Sequence, residues 1–153
     1  GFEKMGNEII NQISGPIDGF CDSIGTAGTL MGVAKSLRSV NTETFIMALE
    51  PSSSPILTKG FTGGHNIEGI GLGFIPELLD HDFYDTAITI HESEARQTTL
   101  RLAREEGIFA GTSSGMNVAG AIKLAEQLGP EKTVVAIICD TGLKYLSQGL
   151  FSE

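Results

Sequence analysis

The glycine-rich run SIGTAGTL, residues 23–30, constrains the fold of this chain more than any other feature. It follows an apolar stretch at 17–21 and opens a helical pattern at 29–40, which places a tight turn between a strand and a helix. Such a turn crowds backbone N–H groups around one point, and the helix N-terminus adds partial positive charge there. We expect either a phosphate cradle or, on glycine content alone, a tight turn without a ligand.

The same run limits the kind of phosphate that would fit. It lacks the Gly-Lys-Ser/Thr of a nucleoside-triphosphate loop, so it offers neither that lysine nor that magnesium ligand. Its spacing also misses the dinucleotide fingerprint. A cradle without these additions suits one small phosphate monoester.

Composition argues against two classes of partner. The chain has 153 residues, 41% of them hydrophobic, and a net charge of −9, which is enough length for one domain. Its basic residues are few and scattered, which argues against binding to nucleic acid or to a membrane surface, and no apolar run is long enough to span a membrane.

Cys21 and Cys139 lie in apolar runs without metal-ligand spacing, so we expect two reduced core thiols in a cytoplasmic protein.

Helical and strand patterns alternate along the chain. Helices are predicted at 6–13, 29–40, 94–106 and 114–128, and strands at 17–21, 44–49, 86–90 and 133–139. This alternation predicts an α/β fold of three layers, a mainly parallel sheet with helices on both faces. The last strand is continuous and β-branched, so we expect it to be buried on both faces. The glycine-rich turns at 25–29, 111–115 and 140–142 are expected to converge on one crevice at the carboxyl ends of the strands.

The histidines argue against hydrolase and metal chemistry. The run GTSSG at 111–115 matches the G-x-S-x-G of α/β-hydrolases, but in that fold the histidine base follows the serine. His65, His81 and His91 all precede Ser113, and they lie far apart without metal-ligand spacing.

The histidines have other interpretations. His81 and His91 are interpreted as loop and helix-cap groups, with His91 or Ser93 starting the helix after the third strand. His65 lies in a long, glycine-rich loop at 52–79 and is a candidate ligand contact, because loops of this length are usually functional.

Four stretches resemble, in the same order, the motifs of one enzyme family. Residues 25–29, GTAGT, resemble the phosphate-binding G-T-G-G-T loop of the fold-type II pyridoxal-phosphate enzymes. Three further stretches are similar to cysteine synthase motifs. Residues 65–76, HNIEGIGLGFIP, resemble H-K-I-Q-G-I-G-A-G-F-I-P, and residues 106–115, EGIFAGTSSG, resemble E-G-I-L-A-G-I-S-S-G. Residues 139–147, CDTGLKYLS, resemble the closing motif D-x-G-x-R-Y-L-S. On these motifs the chain is identified as a member of that family, similar to the C-terminal half of cysteine synthases (O-acetylserine sulfhydrylases).

The resemblance implies pyridoxal 5′-phosphate as cofactor and assigns its contacts. The residues that would hold the 5′-phosphate, through their amides and two hydroxyls, are Gly25, Thr26, Ala27, Gly28 and Thr29. Ser113 would hydrogen-bond the pyridine nitrogen and leave it unprotonated, Cys139 would lie near the ring, and Gly69 would lie at the mouth of the substrate site. Ala27 stands where the family has glycine; alanine can still offer its N–H at this position, provided that its φ is negative.

The resemblance also implies that two motifs lie elsewhere. The family's Schiff-base lysine, in an S-x-K-D-R-type motif, and its T-S-G-N-T-G loop for the substrate carboxylate are both N-terminal. The six lysines of this chain (Lys4, Lys35, Lys59, Lys123, Lys132 and Lys144) match neither motif. We therefore expect residues 1–153 to be the cofactor-anchoring portion of an enzyme that makes L-cysteine from O-acetyl-L-serine and sulfide by β-replacement, with no catalytic residue in this segment and no activity on its own.

Three alternatives stay open on the residues alone. They are a cystathionine β-synthase-like enzyme, another β-replacing enzyme, and a non-catalytic fragment that binds pyridoxal phosphate or a peptide. The family further implies a small amino-acid substrate, a homodimer for the full-length enzyme, and the C-terminal tail of serine acetyltransferase as a possible partner.

Overall fold

A computed structural model describes residues 1–151, so residues 152 and 153 lie outside the description. The elements, in chain order, are α1 (Phe2–Gln12), β1 (Gly19–Ser23), α2 (Gly28–Val40), β2 (Phe45–Pro51), α3 (Ile56–Lys59), β3 (Thr86–Ile90), α4 (Glu92–Glu105), α5 (Thr112–Leu128) and β4 (Val134–Ala136). Two 3₁₀ helices complete them, at His81–Phe83 and Gly142–Gln148. The predicted alternation of helices and strands is confirmed.

The four strands form one parallel sheet in the order β3-β2-β1-β4. Since neighbouring residues of a strand point to opposite faces, Phe20 and Ile46 pack under α1 and α2, whereas Cys21 and Met47 pack under α4 and α5. The helices thus cover both faces, and the predicted three-layer α/β fold is confirmed. A parallel sheet buried on two sides collects its loops, and hence its ligands, at the carboxyl ends of its strands.

The long loop between β2 and β3 is tied to the sheet by one buried carboxylate. Glu50, 2% exposed at the end of β2, accepts hydrogen bonds of 2.8 Å from the N–H groups of Leu57 and Thr58. The Thr58 hydroxyl donates a third at 2.6 Å. These bonds hold the short helix α3 in place, so the loop leaves the sheet at a fixed point although most of it is irregular.

The fourth strand is shorter and less buried than the sequence predicts. It spans Val134–Ala136 rather than 133–139, and all three residues are half-buried rather than buried on both faces. The reason is its place in the sheet: among the described strands β4 pairs only with β1, so it forms one edge. β1 is also displaced from the predicted 17–21 to Gly19–Ser23, which brings polar Asp22 and Ser23 into the strand.

The two cysteines fall into different environments. Cys21 is fully buried in β1, and burial raises the pKa of its thiol to about 12, so it is an inert core thiol as expected. Cys139 is exposed and lies beyond the end of β4, so its assignment to the core is wrong. Because β4 ends at Ala136, the chain turns into a loop before it reaches Cys139.

The start of α4 confirms one smaller prediction. The ring nitrogen Nδ1 of His91 accepts a hydrogen bond from the N–H of Ser93 and caps α4. Glu105 lies at the solvated end of the same helix and pairs with Arg101 one turn earlier. Among the described residues no helix has both the length and the apolar character needed to cross a membrane.

Candidate active site

A cleft of about 460 Å³ lies at the carboxyl ends of β1 and β4. All three glycine-rich turns contribute to it, through Gly25, Ser113 and Asp140, so the expected convergence on one crevice is confirmed. Every residue assigned to the cofactor or substrate from the sequence lines this cleft: Gly25, Thr26, Ala27, Gly28, Thr29, Gly69, Ser113 and Cys139. The connection between β1 and α2 forms its base.

The turn before α2 presents a row of free backbone donors. Within the described residues, the N–H groups of Gly25 to Leu30 donate to no other protein atom, whereas those of Ile24 and Met31, on either side, donate to Leu49 O and Ala27 O. No side chain among residues 1–151 caps α2 either. Unpartnered N–H groups at a helix N-terminus are a ready-made site for an anion, so this turn fits the phosphate of pyridoxal 5′-phosphate.

Ala27 corrects one expectation. Its φ is 64° and its ψ is 2°, in the left-handed region, so the condition of a negative φ is not met. A left-handed residue next to right-handed ones turns successive N–H groups toward one centre, which is the geometry of an anion-binding nest. Alanine adopts it at a cost of about 1–2 kcal/mol, which explains why glycine suits this position in the G-T-G-G-T pattern.

A second loop closes over the turn at Gly25. The N–H of Gly71 donates 2.9 Å to the carbonyl of Ile24, which pins the loop around residue 70 to the phosphate turn. A Cβ added to Gly25 would overlap the carbonyl oxygen of Gly69. Residue 25 must therefore be glycine for the two loops to approach this closely. Gly69 itself has open space where a side chain would project, in keeping with a place at the mouth of the cleft.

The start of α5 supplies a hydroxyl and orders the chain after β4. Ser113 lies in the first turn of α5, is 6% exposed and lines the cleft. Its neighbour Ser114 accepts a hydrogen bond of 2.9 Å from the N–H of Cys139, which holds that residue beside Ser113. Although the thiol of Cys139 is open to the cleft, the surrounding protein displaces enough water to raise its pKa.

A buried carboxyl at the base of the cleft was missed by the sequence analysis. Asp22 is 5% exposed, lines the cleft and accepts a 2.9 Å hydrogen bond from the amide of Asn117. Burial raises its pKa to about 7 against the pull of that hydrogen bond. The signal available in the sequence was a charged residue directly before the phosphate turn, but the boundary set at residue 21 placed it outside the strand.

The rim of the cleft carries an acidic residue with two partners. Asp140 accepts hydrogen bonds from the hydroxyl of Tyr145 at 2.6 Å and from the N–H of Gly111 at 3.1 Å. Desolvation, and then the bond to Asp140, raise the pKa of Tyr145. Lys144 and Glu68 form an ion pair of 3.0 Å on the same rim. The loops after β4 and before α5 are thus fixed to each other at the opening.

The histidines stay outside the cleft. His65, the candidate ligand contact, instead organises its own loop: Nε2 lies 3.1 Å from the carbonyl of Gly71, and Nδ1 accepts from the N–H of Ile67. His81 contacts the Tyr84 hydroxyl on a surface helix. Over residues 1–151 no group of histidine, cysteine or acidic side chains is arranged to hold a metal ion.

Comparison with known proteins gives one family. The model of the family described as pyridoxal-phosphate dependent enzyme matches residues 1–140. The cysteine synthase of Staphylococcus aureus is 43% identical over 148 residues, 96% of this chain and 48% of that protein. The O-ureido-L-serine synthase of Streptomyces lavendulae is 44% identical over 151 residues, 97% of this chain and 46% of that protein.

The fold comparison agrees. The crystal structure of cysteine synthase from Entamoeba histolytica matches with a TM-score of 0.92 at 34% identity, over 99% of this chain and 45% of that one. This chain spans about half the length of the curated relatives it matches.

Proposed function

Since this chain belongs to the pyridoxal-phosphate dependent enzyme family, we propose that it is the cofactor-anchoring portion of a cysteine synthase, which makes L-cysteine from O-acetyl-L-serine and sulfide. The observation that carries the proposal is the row of N–H groups from Gly25 to Thr29, which donate to no other atom in the described part of the protein and lie in a cleft shared with Ser113. Pyridoxal phosphate, when bound, supplies a pyridine ring that draws electrons from the substrate's α-carbon. The residues of this chain hold and tune that ring.

Two elements divide the work of binding. The amides from Gly25 to Thr29, with the positive end of α2, would hold the phosphate, and they require no side-chain cation to do so. The Ser113 hydroxyl would meet the pyridine nitrogen as a neutral partner, which suits β-replacement better than chemistry that needs a stronger electron sink. Cys139 and Gly69 would border the ring and the substrate.

The lysines support the proposal that this chain is inactive alone. Among the lysines, Lys144 is the one that lines the cleft. Its bond to Glu68 raises its pKa, which is the opposite of the lowered pKa that activates a nucleophilic lysine. The amine that forms the Schiff base would accordingly come from outside this sequence, as would the loop for the substrate carboxylate.

A second candidate product is favoured by one observation. Identity to the S. lavendulae O-ureido-L-serine synthase, 44%, is within one percentage point of that to the S. aureus cysteine synthase, 43%, so relatedness does not separate the two products. Sulfide would give cysteine, homocysteine would give cystathionine, and hydroxyurea would give the O-ureido product. A homodimer and the docking of a serine acetyltransferase tail remain predictions.

The test has two parts. The 153-residue chain, supplied with pyridoxal phosphate, O-acetyl-L-serine and sulfide, is expected to form no cysteine above a protein-free control. The longer protein that carries this chain is expected to form cysteine, with sulfide preferred over homocysteine and hydroxyurea. Cysteine formation by the chain alone would contradict its inactivity, and preference for another acceptor would replace the proposed product.

A further inference from the structure

The Asp22 carboxyl is a buried acid without a cation. It is 5% exposed at the end of β1 and lines the cleft. The one side chain in the described part of the protein that donates a hydrogen bond to it is Asn117, at 2.9 Å, and no lysine or arginine pairs with it there. A buried carboxyl of this kind is costly unless a ligand compensates its charge.

Asn117 fixes the direction of that carboxyl. The amide oxygen of Asn117 accepts from the N–H of Ser23 at 2.8 Å, and its nitrogen donates to the carbonyl of Ile137 at 3.0 Å as well as to Asp22. Because both amide hydrogens donate and the amide oxygen accepts, rotation of this side chain would break all three bonds. The same nitrogen lies 3.4 Å from the sulfur of Cys139, so the carboxyl and the thiol flank one donor.

The other ionisable groups around the cleft leave Asp22 without an internal counter-charge. The Lys144 ammonium pairs with Glu68, and Asp140 accepts from Tyr145. The remaining groups near it are the thiols of Cys21 and Cys139, and both have raised pKa values. The base of the cleft is therefore an acidic environment that favours a positively charged group. Burial sets the pKa of Asp22 to about 7, so it can exchange a proton at neutral pH.

We propose that Asp22 is a second electrostatic partner of the cofactor ring, which favours the protonated form of the pyridine nitrogen and thereby opposes the effect of the neutral Ser113. This inference rests on the proposed function, since it requires a pyridine phosphate in the cleft. A carboxylate close to a basic nitrogen raises the pKa of that nitrogen by favouring its cationic form. The ring of this protein would then be a stronger electron sink than Ser113 alone would allow.

The test uses 4-deoxypyridoxine 5′-phosphate, which has the ring and the phosphate but no aldehyde and so forms no Schiff base. Bound to the 153-residue chain, its ring absorption is followed against pH, and the pKa of the ring nitrogen is expected to rise by about one unit over that of the free ligand. Asp22→Asn, which keeps the shape and the bond to Asn117, is expected to abolish that rise. Asp18→Asn, an equal charge change at the opposite end of β1, is expected to leave it unchanged.

Benzyl phosphate, which lacks the ring nitrogen, separates the possible failures. Asp22→Asn is expected to weaken binding of 4-deoxypyridoxine 5′-phosphate at pH 7 about tenfold and to leave benzyl phosphate within about twofold. An unchanged or lowered pKa of the ring nitrogen in the unsubstituted chain would overturn this inference but not the proposed function. An equal loss of affinity for both ligands in Asp22→Asn would do the same. Failure of both ligands to bind the unsubstituted chain would overturn the proposed function with it.

Discussion

Asn117 in α5 donates a 2.9 Å hydrogen bond to Asp22 in β1, across 95 positions of sequence. This bond joins the two elements that bring Ser113 and the phosphate turn together, and it lies at the base of the cleft. It also holds a carboxyl where water has little access. The stability of the fold and the ionisation of the site are therefore linked through one pair of side chains.

Asp22→Asn is expected to stabilise the chain above neutral pH. The pKa of Asp22 is about 7 in the folded protein and 3.8 for an aspartate in water, so the folded state binds more protons between these values and stability falls as pH rises through them. About three pKa units correspond to a loss of up to ~4 kcal/mol at pH 8 or above, which the amide avoids. Urea unfolding at pH 4 and pH 8 measures this: the gain is expected at pH 8 and absent at pH 4.

Asp18→Asn is the matched substitution, and its effect on stability at neutral pH is expected to be opposite to that of Asp22→Asn. The hydrogen bond from Lys132, and then that from the N–H of Thr133, lower the pKa of Asp18. Its contribution to stability is therefore present above the unfolded pKa and is lost in acid, so this variant is expected to be less stable at neutral pH and equal at low pH. Equal responses of the two variants to pH would show that the assigned environments are wrong.

Ala27→Gly is expected to stabilise the phosphate turn. Glycine removes the strain of the left-handed conformation, which is about 1–2 kcal/mol. Because glycine also loses more backbone entropy on folding than alanine, the net gain in the free energy of unfolding is expected to be roughly 0.5–1 kcal/mol. Urea unfolding measures it. Ala125→Gly, inside α5, is the control and is expected to cost about 1 kcal/mol. A loss of similar size in both variants would contradict the geometry at residue 27.

Gly25→Ala is expected to weaken phosphate binding at least about tenfold, because the new methyl group forces the carbonyl of Gly69 away and opens the turn. Calorimetric titration with 4-deoxypyridoxine 5′-phosphate measures the change. Gly64→Ala, where an added Cβ meets nothing within 4 Å, is expected to bind as the unsubstituted chain does. Wild-type affinity in Gly25→Ala would refute the close approach of the two loops.

Tyr145→Phe is expected to lower the free energy of unfolding by about 1–2 kcal/mol, since it removes a 2.6 Å hydrogen bond from a residue only 5% exposed. Tyr84→Phe removes the exposed bond to His81, and its effect is expected to stay below about 0.5 kcal/mol. Urea unfolding of both variants gives the comparison. An equal loss of unfolding free energy in the two variants would mean that the Asp140–Tyr145 hydrogen bond does not stabilise the rim of the cleft.

The sequence predicted the parts of this molecule that depend on local pattern. The alternation of elements, the turn at Gly25 to Thr29 and the cap at His91 all arise within a few residues, where spacing and side-chain type decide the outcome. The burial of β4 depended instead on strand order, which periodicity does not contain. Its edge position also decides the exposure of Cys139.

The motifs predicted which residues line the candidate site, but they did not predict the contact between Asn117 and Asp22, which depends on long-range pairing. Asn117 reads as a polar residue in an otherwise apolar helix, and nothing near it in sequence indicates a partner at Asp22. Folding brings the two together only because α5 packs on β1. The left-handed Ala27 was missed for another reason, since an anion cradle can override the local preference of alanine.

The most direct measurement is calorimetric titration of the 153-residue chain with 4-deoxypyridoxine 5′-phosphate and with its unphosphorylated form, 4-deoxypyridoxine. If the free N–H groups from Gly25 to Thr29 anchor the cofactor, the phosphate ester is expected to bind one per chain and at least about 100-fold more tightly, because several charge-assisted hydrogen bonds depend on the phosphate. Equal affinity for the two ligands, or no saturable binding of the ester, would contradict the assignment of this turn as the cofactor's anchor.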